Sequence, residues 1–147
     1  EMSDVPAHWD ILPEIIALRD RISPKTKIVM NGDIETYAQG VELANQYGAD
    51  GIMIGRGIFK DPFCFSPDSP WQTMTPSEKI TLYKTHVERF QKAYPDRQKS
   101  FQSLRKFCKT YVHGFDSASE LRDKIMHTES NDHLVRVLDE FIKSGVL

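Results

Sequence analysis

The chain has 147 residues, 39% of them hydrophobic and 27% charged, and a formal net charge of −2. That composition fits one globular domain or two small ones, and no apolar run approaches the roughly 18 residues that cross a bilayer. Two cysteines without metal or redox spacing do not make a disulfide framework, so a reducing cytoplasm is the expected compartment.

In chain order, Trp9 to Ile22 carries Ile11, Ile15, Leu18 and Ile22 at helical spacing, with Pro13 in the first turn and Pro24 just past the end. This predicts a crossover helix on the outside of a barrel. Lys27 to Met30 reads as a strand covered on both faces, because it lacks polar alternation. Glu35 to Tyr47 reads as a helix with Tyr37, Val41 and Ala44 inward and Gly48 as its stop. Gly51 to Ile54 is the next strand. Ile58 to Phe65 is apolar but interrupted at Lys60-Asp61-Pro62, which suits a short helix broken at the proline.

Residues 66–75, with Pro67 and Pro70, form the expected linker. It ends in a capping box, Thr75-Pro76-Ser77-Glu78. Four helices of a small bundle are expected after it. The first has Ile80, Tyr83, Val87 and Phe90 on one face and ends at Pro95. The second spans about Lys99 to His113, with Phe101, Leu104, Cys108 and Tyr111 inward and Gly114 as its stop. A second box, Ser117-Ala118-Ser119-Glu120, opens the third. The fourth carries Leu134, Leu138, Phe141 and Ile142 and ends at Gly145.

The two most informative motifs are Asn31-Gly32-Asp33-Ile34 and Gly55-Arg56-Gly57. Each follows a short apolar run, and one helix–strand unit separates them. This is the layout of the last two strand–loop–helix units of a parallel (β/α)8 barrel, where loops after the final strands grip phosphate. Glycine lets the backbone approach an anion closely, free amides supply partial positive charge, and arginine adds a bidentate partner. Arg56 is then the phosphate's cation, and the amides of Gly32, Asp33, Gly55 and Arg56 its cradle. Asn31 points toward the ligand from its strand end. The carboxylate of Asp33 repels phosphate, so a capping role for the helix starting at Glu35 is expected of it. A complete barrel needs roughly 250 residues. The expectation is therefore an incomplete (β/α)8 TIM barrel in residues 1–65, a linker in 66–75 and a small helical bundle in 76–147. The chain is expected to be a C-terminal fragment of a longer protein.

Residues 1–74 hold 6 Lys and Arg against 11 Asp and Glu, whereas residues 75–147 hold 13 against 10. The basic signal sits on the second bundle helix, whose outward face presents Gln102, Arg105, Lys106, Lys109 and His113. Arg105 and Lys109, one turn apart, can bridge neighbouring phosphates; a solvated helix face is the plain alternative. Cys64, between Phe63 and Phe65, reads as a packing residue rather than a reactive thiol. His8, His86, His113, His127 and His133 make no ligand or triad spacing.

Met30-Asn31-Gly32-Asp33-Ile34, Gly51 to Gly57 and Asp61-Pro62-Phe63 closely resemble the end of the flavin barrel of the tRNA-dihydrouridine synthases. Arg105-Lys106-Phe107-Cys108-Lys109-Thr110-Tyr111, followed by Gly114, is similar to a helix in that family's C-terminal domain, with Phe107 in place of the usual histidine. The resemblance runs from Trp9 to the last helix. It implies a flavoenzyme that reduces the C5–C6 bond of uridines in tRNA with FMN recharged by NADPH. It also implies FMN-phosphate contacts at Asn31, Gly32, Asp33, Gly55 and Arg56, and RNA contacts at Arg105, Lys106 and Lys109. The base leaves its stack to react, and the helical domain reads RNA shape. The family's catalytic cysteine is expected upstream of Glu1, so the fragment alone is expected to be inactive and to self-associate through bare strands. Another phosphate-gripping flavin barrel, such as a dihydroorotate dehydrogenase-like enzyme, is the alternative within the same chemistry. A non-catalytic RNA-binding module is the alternative outside it.

Overall fold

The computed structural model describes residues 5–95 and 101–145. The chain divides into two compact units, Glu1–Pro70 and Trp71–Leu147.

In the first unit a short 3-10 turn, Trp9–Ile11, leads into α1 (Leu12–Ile22), with Pro13 in its first turn. Strand β1 (Val29–Asn31), helix α2 (Tyr37–Tyr47), strand β2 (Gly51–Met53) and the short α3 (Gly57–Lys60) follow. The strands pair in parallel, Val29 opposite Gly51, Met30 opposite Ile52 and Asn31 opposite Met53. Thr36 caps α2 by accepting the Gln39 amide, and Gly48 closes it in the left-handed conformation at φ 74°. Asp50 binds α1 to both strand starts. Its carboxylate accepts the Ile28 amide at 2.9 Å, Arg19 at 2.6 Å and Lys27 at 3.0 Å. The Ile28 amide, helped by the two cations, holds the Asp50 carboxyl well below the usual range.

The core of this unit is Leu12, Met30, Ile34, Ile54 and Cys64, with Trp9, Ile16, Leu43, Ala44 and Tyr47 packed around it. Three expectations are corrected here. The stripe Ile11, Ile15, Leu18 and Ile22 is exposed, because α1 turns Leu12 and Ile16 to the core instead. Tyr37 and Val41 are exposed as well; the inward face of α2 is Gly40, Leu43 and Ala44, and Gly40 lets the helix close on Ile52. The strands bury one face rather than two. Met30 is 3% exposed while Val29 and Met53, on the other side of the pleat, are 58% and 54% exposed.

In the second unit α4 (Pro76–Ala93) starts at the expected capping box: Thr75 accepts the Glu78 amide and Glu78 accepts the Thr75 amide. Ile80, Tyr83 and Val87 are fully buried, and α4 packs on α6 (Cys108–Tyr111) and α8 (Asn131–Ser144). Tyr83 stacks on Tyr111 at 4.9 Å between ring centroids and donates its hydroxyl to the Leu104 carbonyl at 2.7 Å. Trp71 is buried, edge-on to Tyr111. Helix α7 (Ala118–Met126) completes the bundle, and Gly145 closes α8 at φ 66°.

The expected helix over Lys99 to His113 is two helices, α5 (Gln102–Lys106) and α6, broken at Phe107; its start at Lys99 lies outside the described residues. Leu104, Cys108, Thr110, Tyr111 and Val112 are all buried, more than one helical face can hide, and the break lets each turn inward. The second capping box does not close. Ser117 has φ −90° and ψ 6°, outside the extended region a cap needs, and Glu120 pairs with Lys124 at 2.9 Å. An open two-stranded parallel sheet with its helices, followed by an all-helical part, is the arrangement of an incomplete (β/α)8 barrel and a bundle.

Candidate functional site

The two glycine turns lie side by side because β1 and β2 are neighbours and both loops leave from the same strand ends. At the first, Gly32 takes φ 125° and Asp33 φ 51°, which turns the chain sharply after Asn31. A Cβ on Gly32 would stand 2.8 Å from the Ala7 side chain. At the second, a Cβ on Gly57 would stand 2.7 Å from the Glu35 carbonyl oxygen and 2.9 Å from Glu35 Cα. Glycine at the first place makes room for the Ala7 and Trp9 side chains, and at the second lets backbone meet backbone. Between the turns opens a cleft of about 650 Å3, lined by Asn31, Gly32, Asp33, Glu35, Gly55, Arg56, Gly57 and Lys60 among others.

All five residues expected at an anion site, Asn31, Gly32, Asp33, Gly55 and Arg56, thus line one cleft. Asp33 has a different job from the expected one. Its carboxylate accepts the Ala7 amide at 2.8 Å and the Arg56 guanidinium at 3.1 Å, while Thr36 caps α2. A residue at φ 51° cannot supply the extended backbone of a cap. The Gln39 amide group ties the loop further, accepting the Glu35 amide and donating to the Asp33 carbonyl. Arg56 keeps 63% of its side chain exposed and leaves guanidinium surface open to the cleft. Two residues escaped the sequence reading: Lys60, one turn after Gly57, and Glu35, with which it pairs. The spacing of Lys60 from the glycine was the available signal.

Cys64 is buried in the core and burial pushes its thiol pKa up, so it packs rather than reacts. In the bundle, Lys106 and Lys109 are exposed, but Arg105 is half-buried. Its Nη1 donates to the carbonyls of Met126 at 2.6 Å and Thr128 at 3.2 Å, so the expected outward row is split. A shallow groove between Lys106, Lys109 and Arg122 lies beside it.

The family model described as "Dihydrouridine synthase (Dus)" matches residues 2–146. The chain belongs to the dihydrouridine synthase family. It is 45% identical over 141 residues to a probable tRNA-dihydrouridine synthase of Staphylococcus epidermidis, covering 96% of this chain and 43% of that protein. The corresponding protein of Staphylococcus aureus is also 45% identical over the same 96% of the chain, which covers 42% of it. Probable tRNA-dihydrouridine synthase 2 of Bacillus subtilis is 42% identical, with 96% and 43% covered. The chain therefore spans under half the length of these relatives. Among the described residues of this family member, no helix is long and apolar enough to cross a membrane.

Proposed function

We propose that this chain forms the phosphate-gripping end of the FMN site and the helical RNA-facing part of a tRNA-dihydrouridine synthase. The supporting observation is the cleft in which both glycine turns and Arg56 meet. The residues suit a flavin mononucleotide's phosphate: a Cβ on Gly57 would push apart the backbone that shapes the cleft, and the Arg56 guanidinium faces it. When bound, FMN supplies hydride to uridine C5–C6, recharged by NADPH. The chain's own contribution is to anchor. Gly32, Asp33, Gly55 and Arg56 offer amides, Asn31 a side-chain amide, and Arg56 the cation that fixes the tail. In the bundle, Lys106 and Lys109 meet tRNA phosphates, while Arg105 shapes that face from behind.

Arg56→Ala, in a complete synthase bearing this sequence, is expected to weaken FMN retention about tenfold, the effect of one charge-assisted contact. Flavin content after gel filtration reads it, and unchanged content overturns the phosphate role. Alone, the chain presents Val29 and Met53 on the sheet and Ile15, Leu18 and Ile22 on α1 to solvent. Self-association that covers them is expected in light scattering; a monodisperse monomer contradicts it.

A further inference from the structure

The cleft holds two ion pairs, not one. Arg56 is paired with Asp33, and Lys60 with Glu35, and all four residues line the cleft. The local sequence brings the second pair about. Gly57 lets the start of α3 rest against the Glu35 backbone, and Lys60, three residues later, falls over the Glu35 side chain. We propose that Lys60 is a second cation for the ligand's phosphate, held by Glu35 until the anion takes it over. The proposal rests on the reading of this cleft as a phosphate site and deepens it.

The charges support it. With both pairs formed, the two cations and two carboxylates of the cleft cancel. A phosphate monoester brings a charge of about −1.5 to −2 near neutral pH, more than Arg56 alone balances. Lys60 and Glu35 keep 67% and 51% of their side chains exposed, so their pair is weak and water can solvate the released carboxylate. Asp33 differs. The Ala7 amide also holds it, so it stays and orients Arg56 while Glu35 gives way. The two acids, two residues apart, therefore have unequal roles: one aims its cation and the other lends it.

FMN and riboflavin, which differ by the phosphate, separate this from a surface ion pair. The apo form of a complete synthase bearing this sequence is titrated with each, following flavin fluorescence. The unmodified protein is expected to prefer FMN. Lys60→Ala is expected to raise the Kd for FMN about three- to fivefold, the scale of an exposed charge contact, and to leave riboflavin unchanged. Lys60→Arg restores FMN binding, and Glu35→Gln tightens it about twofold by freeing the lysine and removing a repelling charge. If Lys60→Ala binds FMN normally, or loses FMN and riboflavin alike, the assignment of Lys60 is overturned while the cleft keeps its phosphate role. If the unmodified protein binds the two flavins equally, the phosphate reading itself falls, and this proposal with it.

Discussion

Gly57→Ala is expected to lower both the stability of the first unit and its hold on flavin. The new Cβ would meet the Glu35 carbonyl oxygen at 2.7 Å, Glu35 Cα at 2.9 Å and the Ile54 side chain at 2.7 Å. Two of these three atoms are backbone and cannot rotate away. Relief requires α3 to back off from the loop before α2, at a cost of about 1–3 kcal/mol. That movement carries Arg56 and Lys60, which flank the glycine, away from Asp33 and Glu35. FMN affinity is then expected to fall about tenfold, since small misplacements of a binding group are costly. Gly40→Ala is the control. Its Cβ would stand 2.1 Å from Ile52 Cδ1, 3.3 Å from Ile52 Cγ1 and 3.2 Å from Ile34 Cγ2, so it crowds the helix–sheet core without meeting Arg56 or Lys60: stability is expected to fall while flavin binding stays with the parent. Thermal unfolding and flavin content of a complete synthase bearing each variant read both effects. A Gly57→Ala protein that melts and binds like the parent would show that α3 does not rest on the Glu35 backbone.

The cleft was readable in the sequence to the extent that it depends on backbone. Glycine after a short apolar run announces a turn that needs φ above zero, and Gly32 at φ 125° has one. The two turns share a cleft because parallel strands in succession place their following loops at one end. Side-chain partners were not readable. Asp33 looked like a helix cap because it stands just before a helical stretch, yet Thr36, at φ −130° and ψ 158°, has the backbone a cap requires. The partners that Asp33 and Glu35 take instead lie 23 and 25 residues away, brought in by β2 and α3. Periodicity carries no information about such pairs.

Apolar spacing located the helices better than it located their buried faces. Helix α1 has two adjoining apolar stripes, and nothing in the sequence ranks Leu12 and Ile16 above Ile15 and Leu18. The sheet decides, because it offers a single surface on which α1 can pack. In the bundle, α4 and α8 each carry one stripe, and Ile80, Tyr83, Val87, Leu134 and Leu138 are buried as their spacing predicts. The stretch from Gln102 to Tyr111 misled because Leu104, Cys108 and Tyr111 alone would suit one straight helix. Thr110 and Val112 also need to be buried, and the chain breaks at Phe107 to bury them.

That break changes what Arg105 does, and the consequence is measurable. Met126 is the last residue of α7, where backbone carbonyls have no partner within the helix and the dipole favours a cation. Arg105 supplies both a donor and a charge, reaching the Met126 and Thr128 carbonyls while its guanidinium stacks on the Phe101 ring at 5.2 Å. Arg105→Ala is expected to destabilise the bundle by about 2 kcal/mol, as two carbonyls lose a charged donor. Arg105→Lys recovers only part of this, since an ammonium does not reproduce the planar stack on Phe101. Lys106→Ala and Lys109→Ala, both at exposed positions, are expected to stay within about 0.5 kcal/mol of the parent. Each is expected to weaken tRNA binding by a complete synthase bearing this sequence and to flatten its dependence on salt. Denaturant unfolding and tRNA titration at two salt concentrations separate the three residues. If Arg105→Ala unfolds like the parent yet loses tRNA, the arginine faces RNA and α7 is held by something else. If the two lysine variants keep the parent's tRNA affinity and salt slope, the RNA face of the bundle lies away from α5 and α6.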